Sequence, residues 1–433
     1  MDIAIIILLV TFIVFMAIDV PIAISIGMAT LLALLVSVDT APALTTVAQR
    51  MAGGINSFAL LAIPFFILSG QIMGQGGIAR RLIEFAKALI GSFPGGLALV
   101  NVASSMLFGS ISGSAVAATS AIGGFMIPAM KKEGYDDNFS TAITVTSATT
   151  GLLIPPSNIL IVYSLASGGV SIAALFVAGY IPGILVGLGL MMVSAIYAKR
   201  KGLISGQRVP LPQALAKTLD ALPSLFLIFL IIGGIIGGMF TPTEAGAVAV
   251  LYSLALSVVV YKEVKVRDLP DILLKSVEIT AIVMLLIGAS AAMSWVMSFE
   301  NLPQQISAGL LGLSDNPIII LLMINLILLV VGTFMDMTPA VLIFTPIFLP
   351  IAVLMGISPL HFGIMMILNL CVGLCTPPVG SVLFVGCSIG KISIADIIRP
   401  LIPMYFAMFA VLGLVTAFPI LSEGLPRLLG LID

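Results

Sequence analysis

Apolar residues run along this chain in blocks too long for a soluble domain. Ten blocks, at roughly 3–18, 22–38, 57–75, 139–165, 172–198, 221–240, 244–261, 277–297, 361–386 and 397–420, read as membrane spans. A spanning helix needs about 20 mostly apolar residues, or about 17 at the short end. Two further blocks, about 94–130 and 317–350, are each long enough for two helices, and each is interrupted in its middle. The first interruption lies in FGSISGSAVAATSAIGG, Phe108 to Gly124, and the second is GTFMDMTP, Gly332 to Pro339. Non-helical backbone at membrane depth is tolerated only where protein or a water-filled cavity supplies its partners. The two blocks therefore read as re-entrant hairpins whose tips meet near the bilayer midplane; pairs of full spans are the alternative.

Two spans carry a second kind of break. The span 139–165 is interrupted at Thr149-Thr150-Gly151-Leu152-Leu153-Ile154-Pro155-Pro156-Ser157, and the span 361–386 at Gly373-Leu374-Cys375-Thr376-Pro377-Pro378. A Pro-Pro pair removes two backbone donors and disfavours helix before it. These breaks belong to a repeat at an offset of 222 residues: Pro128 meets Pro350, Gly134 meets Gly356, Gly151 meets Gly373, Pro155-Pro156 meets Pro377-Pro378, and Ser171-Ile172-Ala173 meets Ser393-Ile394-Ala395. The register runs without a gap over 46 residues, and Asn101 and Asn325 precede the two tips at similar distances.

Composition changes the picture little and charge changes it more. The chain is 60% hydrophobic and 9% charged, with a mean hydropathy of +1.26, which excludes a soluble globular domain. The apolar start has no basic residue before it and no small-residue cleavage site, so it reads as a retained first span rather than a signal peptide. With the N-terminus outside and hairpins that return to their own side, sixteen of the eighteen basic residues fall on the cytoplasmic face, and only Arg50 and Arg427 fall outside. The repeat units then begin with oppositely directed helices, 57–75 and 277–297, and are inverted, an arrangement that marks secondary transporters.

The expected organisation is an all-α polytopic membrane protein. Scaffold helices occupy 1–56, a first inverted repeat 57–198, a cytoplasmic linker (199–220) and central scaffold helices 199–276, a second repeat 277–421, and a tail 422–433. The stretch Ile78–Ser92 mixes charged and apolar residues at helical spacing and reads as an interfacial helix.

The breaks suggest a chemistry. Carbonyls freed one turn before a Pro-Pro pair need a partner, and hard cations take oxygen ligands. A first sodium site would combine Ser112 and Ser114 with carbonyls at Gly151, Ile154 and Pro156. A second would combine Asp336, Met337 and Thr338 with carbonyls at Gly373, Thr376 and Pro378. Proton coupling would call for titratable groups along the path, and Asp336 is the one acid at either tip; it also suits a helix cap. No Lys or Arg lies near a tip, so an anionic substrate would be held by half-helix N-termini, bound cations and hydroxyls. Ser110, Thr149, Thr150, Ser157, Asn158 and Ser381 are the candidate cavity residues, with helix–helix contacts as the competing role for the Ser/Thr run. Thr241 and Glu244 have capping-box spacing. Cys371, Cys375 and Cys387 stand in apolar segments beside a single His361, too few ligands for a transition-metal site. No HExxH, paired intramembrane aspartates or Ser–His pair points to an intramembrane hydrolase.

The segment GSISGSAVAATSAIGGFMIPAMKKEGYDDNFSTAITVTSATTGLLIPPSNILIVYSLASGGVSIAALFVAGYIPG, with PTEAGA at 242–247 and the later GLCTPPVGSVLF, resembles the large membrane subunit of tripartite ATP-independent periplasmic (TRAP) transporters, and the likeness runs along the whole chain. The resemblance implies an elevator-type carrier of the ion-transporter superfamily, driven by sodium and taking up a small organic acid across the bacterial inner membrane. It implies no enzyme activity and no cofactor beyond Na+. It also implies two partners: a small four-helix membrane subunit, expected here as a separate chain, and a periplasmic substrate-binding protein. Sialic acid and C4-dicarboxylates are the prominent substrate classes, and the sialic-acid branch is the nearer match. A stand-alone sodium/dicarboxylate symporter of the same superfamily is the alternative.

Overall fold

The computed structural model describes residues 3–203, 210–314 and 316–432. Part of the expected linker, 204–209 with Arg208, lies outside the described residues. In chain order the α-helices are α1 (Ile3–Ala17), α2 (Ile22–Ser37), α3 (Thr40–Ile55), α4 (Ala62–Gln75), α5 (Ile78–Ile90), α6 (Gly96–Ser112), α7 (Ala115–Lys132), α8 (Asp137–Thr150), α9 (Asn158–Ala166), α10 (Ile172–Lys201), α11 (Leu211–Ile236), α12 (Pro242–Leu254), α13 (Leu269–Phe299), α14 (Leu302–Leu311), α15 (Pro317–Phe334), α16 (Met337–Leu354), α17 (Pro359–Gly373), α18 (Ser381–Gly390), α19 (Ile394–Ala417) and α20 (Ile420–Leu428). Among the described residues eight helical stretches are long and apolar enough to cross a membrane, and α1, α2, α6, α17 and α18 are shorter apolar helices.

The helix ends follow local chemistry. Ser171 and Ser393 each cap the helix that follows through the side-chain oxygen, and Asp136 caps α8 in the same way. Thr241 and Glu244 form the expected capping box at the start of α12. Gly134 and Gly356 close α7 and α16 with φ of 86° and 79°, a left-handed conformation that favours glycine. Three helices have no counterpart among the expected elements. The amphipathic α3 buries little beyond Ala43 and Val47, and α14 and α20 are short and hold Pro303 and Pro426. The helix α11 also begins at Leu211, inside the stretch read as linker; its Lys217 ion-pairs with Glu84 of α5, which gives that turn a partner.

The halves share one pattern of elements. Helices α7 and α16, α8 and α17, and α10 and α19 begin 222 residues apart: 115 and 337, 137 and 359, 172 and 394. Contacts between the halves are reciprocal. Helix α7 packs on α18 while α16 packs on α9, and α8 packs on α19 while α17 packs on α10. Pairings exchanged in this way are what a two-fold relation between similar units produces. Thr149 and Cys371, 222 positions apart, touch directly, with the Cys371 thiol donating to the Thr149 carbonyl at 3.3 Å. Outside this core, α4 packs most extensively against α12 and α13, and α1–α3 form a layer that reaches the core through α13.

Candidate functional site

The first tip turns at Gly113, whose φ of 62° is left-handed, and Ser114 then caps α7 by accepting the Ala117 N–H at 3.2 Å. The second tip makes its break with two extended residues, Met335 and Asp336, and has no glycine at the turn. Both Pro-Pro pairs lie in the turns that end α8 and α17, and both of their peptide bonds are cis.

A glycine pair holds each tip's first arm against the neighbouring break. A Cβ built at Gly151 would overlap the Gly109 main chain, and one built at Gly373 would overlap the Gly332 main chain. The helices α6 and α15 therefore cross the two breaks backbone to backbone. The second break is also tied to its hairpin by the Gly380 N–H, which donates to the Thr333 carbonyl at 3.1 Å.

The tips meet at a cavity of ≈ 210 Å³. Ser112, Ser114, Asn158, Asp336, Met337 and Thr338, six of the residues singled out in the sequence, line it. Four half-helices begin on it: α7 with Ala115–Ala117, α9 with Asn158 and Ile159, α16 with Met337 and Thr338, and α18 with Val382. The first-turn N–H groups of these helices, that of Ala117 apart, and their dipoles make the cavity favourable to negative charge. No Lys, Arg or His lines it among the described residues. Asp336 is exposed to the cavity and accepts the Ser381 hydroxyl at 3.3 Å. The Asn158 Oδ1 is buried with no hydrogen-bond partner among the described residues.

The other expected residues sit behind the wall. The hydroxyls of Ser110, Thr149 and Thr150 bond back to the carbonyls of Leu107, Thr146 and Ser147 at 2.8, 2.9 and 2.6 Å, and that of Ser157 to the Leu152 carbonyl. None of the four lines the cavity. At the first break, the carbonyls of Gly151, Ile154 and Pro156 accept no hydrogen bond among the described residues. At the second, the Gly373 carbonyl accepts the Thr376 N–H at 2.8 Å and the Cys375 carbonyl the Tyr405 hydroxyl at 2.6 Å. The carbonyls of Leu374 and Thr376 converge, both 2.9 Å from the position a Cβ of Gly380 would take. Thr376 turns its hydroxyl to Val372, and Pro378 is exposed. Among the described residues no group of three His, Cys, Asp or Glu could hold a metal ion.

Sequence reasoning missed one side of the cavity. Gly70 and Gln71 of α4, with Ile279 and Val283 of α13, complete the wall. They lie in uninterrupted helix, and nothing in the local pattern marks them.

Residues 9–421 match the family described as "Tripartite ATP-independent periplasmic transporter, DctM component". The chain belongs to that family. It is a TRAP transporter large permease subunit, a transporter and not an enzyme, and a multi-pass protein of the inner membrane. Among relatives, the YgiK protein of Salmonella typhimurium is 56% identical, with 98% of this chain and 97% of that one covered. The sialic acid TRAP transporter large permease protein SiaM of Vibrio cholerae is 41% identical over 88% of this chain and 89% of its own. The C4-dicarboxylate TRAP transporter large permease protein DctM of Pseudomonas aeruginosa is 42% identical over 86% and 87%. The expected leaning toward the sialic-acid branch finds no support in identities this close. The fold is similar to that of the Alcanivorax borkumensis YdaH transporter, with a TM-score of 0.65 at 14% identity over 97% of this chain and 99% of that one.

Proposed function

We propose that this TRAP subunit carries a small organic acid inward with sodium, fed by a periplasmic substrate-binding protein and assembled with a small membrane subunit. The observation that carries the reading is the cavity at which four half-helices begin, with no basic side chain in its wall among the described residues. Such a site favours a carboxylate through backbone dipoles that cost no desolvated Lys or Arg. Sialic acid and C4-dicarboxylates, the substrates named for two of the relatives, are carboxylates, and isethionate, named for a third, is a sulfonate; sialic acid and C4-dicarboxylate stand as equal candidates.

Sodium is the coupling ion in this reading because the breaks supply neutral oxygens. Ser112 and Ser114 with the free carbonyls of Gly151, Ile154 and Pro156 form the first site. Asp336, Met337 and Thr338 with the carbonyls of Gly373, Thr376 and Pro378 form the second, to which the convergence at Gly380 adds Leu374. The reciprocal packing of the halves supports an inverted repeat, with the N-terminus and the tail periplasmic on the charge count. Elevator movement would carry the core of hairpins and broken helices past α4, α12 and α13.

Liposomes holding this chain with and without the small subunit, and with and without the capture protein, test the reading. Uptake of a carboxylate only when all three are present is expected. Uptake by this chain alone would favour the stand-alone symporter instead.

A further inference from the structure

We propose that Gln71, on a helix that belongs to neither hairpin nor broken helix, contacts the substrate and sets its selectivity; the inference rests on the transport reading above for the class of ligand. The cavity's other polar side chains, Ser112, Ser114, Asn158, Asp336 and Thr338, all come from the tips and the breaks. Gln71 is the polar side chain that the surrounding helices contribute, since its companions from α4 and α13 are Ile63, Ile67, Gly70, Ile279 and Val283. It is half-buried, and its amide has no hydrogen-bond partner among the described residues.

The position of Gln71 is fixed by main chain. A Cβ built on the adjacent Gly70 would stand 2.9 Å from the Ser112 carbonyl oxygen and 3.2 Å from the Ser112 Cα. The helix α4 thus rests directly on the first tip, with no flexible side chain between them. On its other faces α4 is held by α12 and α13.

A primary amide presents two donors and one acceptor. In a cavity whose helix N-termini favour a carboxylate, it adds hydrogen bonds to a carboxylate or hydroxyl without adding charge. A substrate held in this state therefore bridges the tips and α4. Asp336 already places one carboxylate in the wall. A glutamate at position 71 would add a second beside an anionic ligand.

The test uses the full complex in liposomes with succinate and N-acetylneuraminate as probes, each with its capture protein. For the probe that the wild-type complex moves, Gln71→Ala is expected to raise KM about tenfold, the loss of one hydrogen bond to a charged group. The sodium half-saturation is expected to stay unchanged, which a general packing defect would not leave intact. Gln71→Glu is expected to lose more than Gln71→Ala. An unchanged KM in Gln71→Ala overturns the proposal.

A second arm needs no knowledge of the substrate. The native cysteines Cys371, Cys375 and Cys387 are buried, so Gln71→Cys offers an accessible thiol for the anionic reagent 2-sulfonatoethyl methanethiosulfonate. Modification of Gln71→Cys, with the wild type unreactive, is expected. A Gln71→Cys protein that resists the reagent overturns the placement. Failure of the wild type to move either probe would count against the transport reading, while the labelling arm still decides where Gln71 stands.

Discussion

Replacing Gly151 by alanine is the sharpest test of how the breaks are built. The backbone at Gly151 has φ −63° and ψ −21°, which any L-residue adopts, so the change introduces no conformational strain. Restricting the unfolded chain would by itself stabilise the protein by about 0.4–1 kcal/mol. The new methyl, however, would overlap the Gly109 Cα and carbonyl carbon and the Ser110 nitrogen. All three are main-chain atoms of α6, and no rotamer can move them away. Overpacking of this kind costs about 1–3 kcal/mol, and an unyielding backbone contact belongs at the upper end, leaving a net loss of about 2–2.5 kcal/mol. Gly27→Ala is the matched control: it lies inside α2 with nothing within 4 Å of the new methyl, and helix propensity makes it neutral or stabilising by up to about 1 kcal/mol. Thermal unfolding of the purified proteins in one detergent reads the difference, Gly151→Ala below wild type and Gly27→Ala at or above it. Because α6 ends at Ser112, pushing it off the break also separates the expected sodium ligands, so Gly151→Ala should raise the sodium half-saturation of uptake. A Gly151→Ala protein as stable as wild type, with unaltered sodium dependence, would refute the backbone-to-backbone account of the break.

Other changes probe separate parts of the molecule. Asp336→Asn removes the one charged side chain that lines the cavity among the described residues and keeps its size; sodium half-saturation should rise several-fold in uptake assays, with the folded fraction unchanged by gel filtration. Asn369→Leu deletes donors at 2.8 Å to both the Asn325 carbonyl and its Oδ1 in the buried contact between α15 and α17; a loss of about 1–3 kcal/mol follows from leaving the Asn325 Oδ1 without its donor, read as a lower unfolding temperature. Arg81→Ala removes a guanidinium that lies 3.6 Å from the Tyr261 ring centroid and 2.8 Å from Glu263, with its side chain 11% exposed. That should cost about 1–2 kcal/mol and loosen α5 from the loop after α12, which limited proteolysis near residue 262 would detect.

The tips and breaks were legible in the sequence because a bilayer makes them anomalous. Glycine, serine and paired prolines inside apolar blocks need a protein or water partner, and Gly113 and the two Pro-Pro pairs stand where the chain turns. The offset of 222 residues was readable for the same reason, since it joins residue types chosen by backbone geometry. The contacts between helices were not readable. That Gly109 faces Gly151, and Gly332 faces Gly373, depends on how α6 and α15 cross the breaks, and the two hairpin glycines do not fall at equal positions in the repeat. Gln71 was hidden because one polar residue in an unbroken helix resembles many others. The Ser/Thr run misled in part. Thr149 and Thr150 look available as a polar stripe, yet in a buried helix their hydroxyls are taken by carbonyls of the preceding turn. The helix α3 escaped a search for apolar spans because its buried face is only Ala43 and Val47.

The central claim is that oxygen atoms at two tips and two breaks hold sodium and couple it to the substrate. Uptake by the reconstituted three-part system, with sodium and proton gradients imposed separately, tests it most directly. The account predicts accumulation when only an inward sodium gradient is present, and loss of that accumulation when Ser112 is replaced by leucine. Accumulation driven by a proton gradient and indifferent to sodium would contradict it.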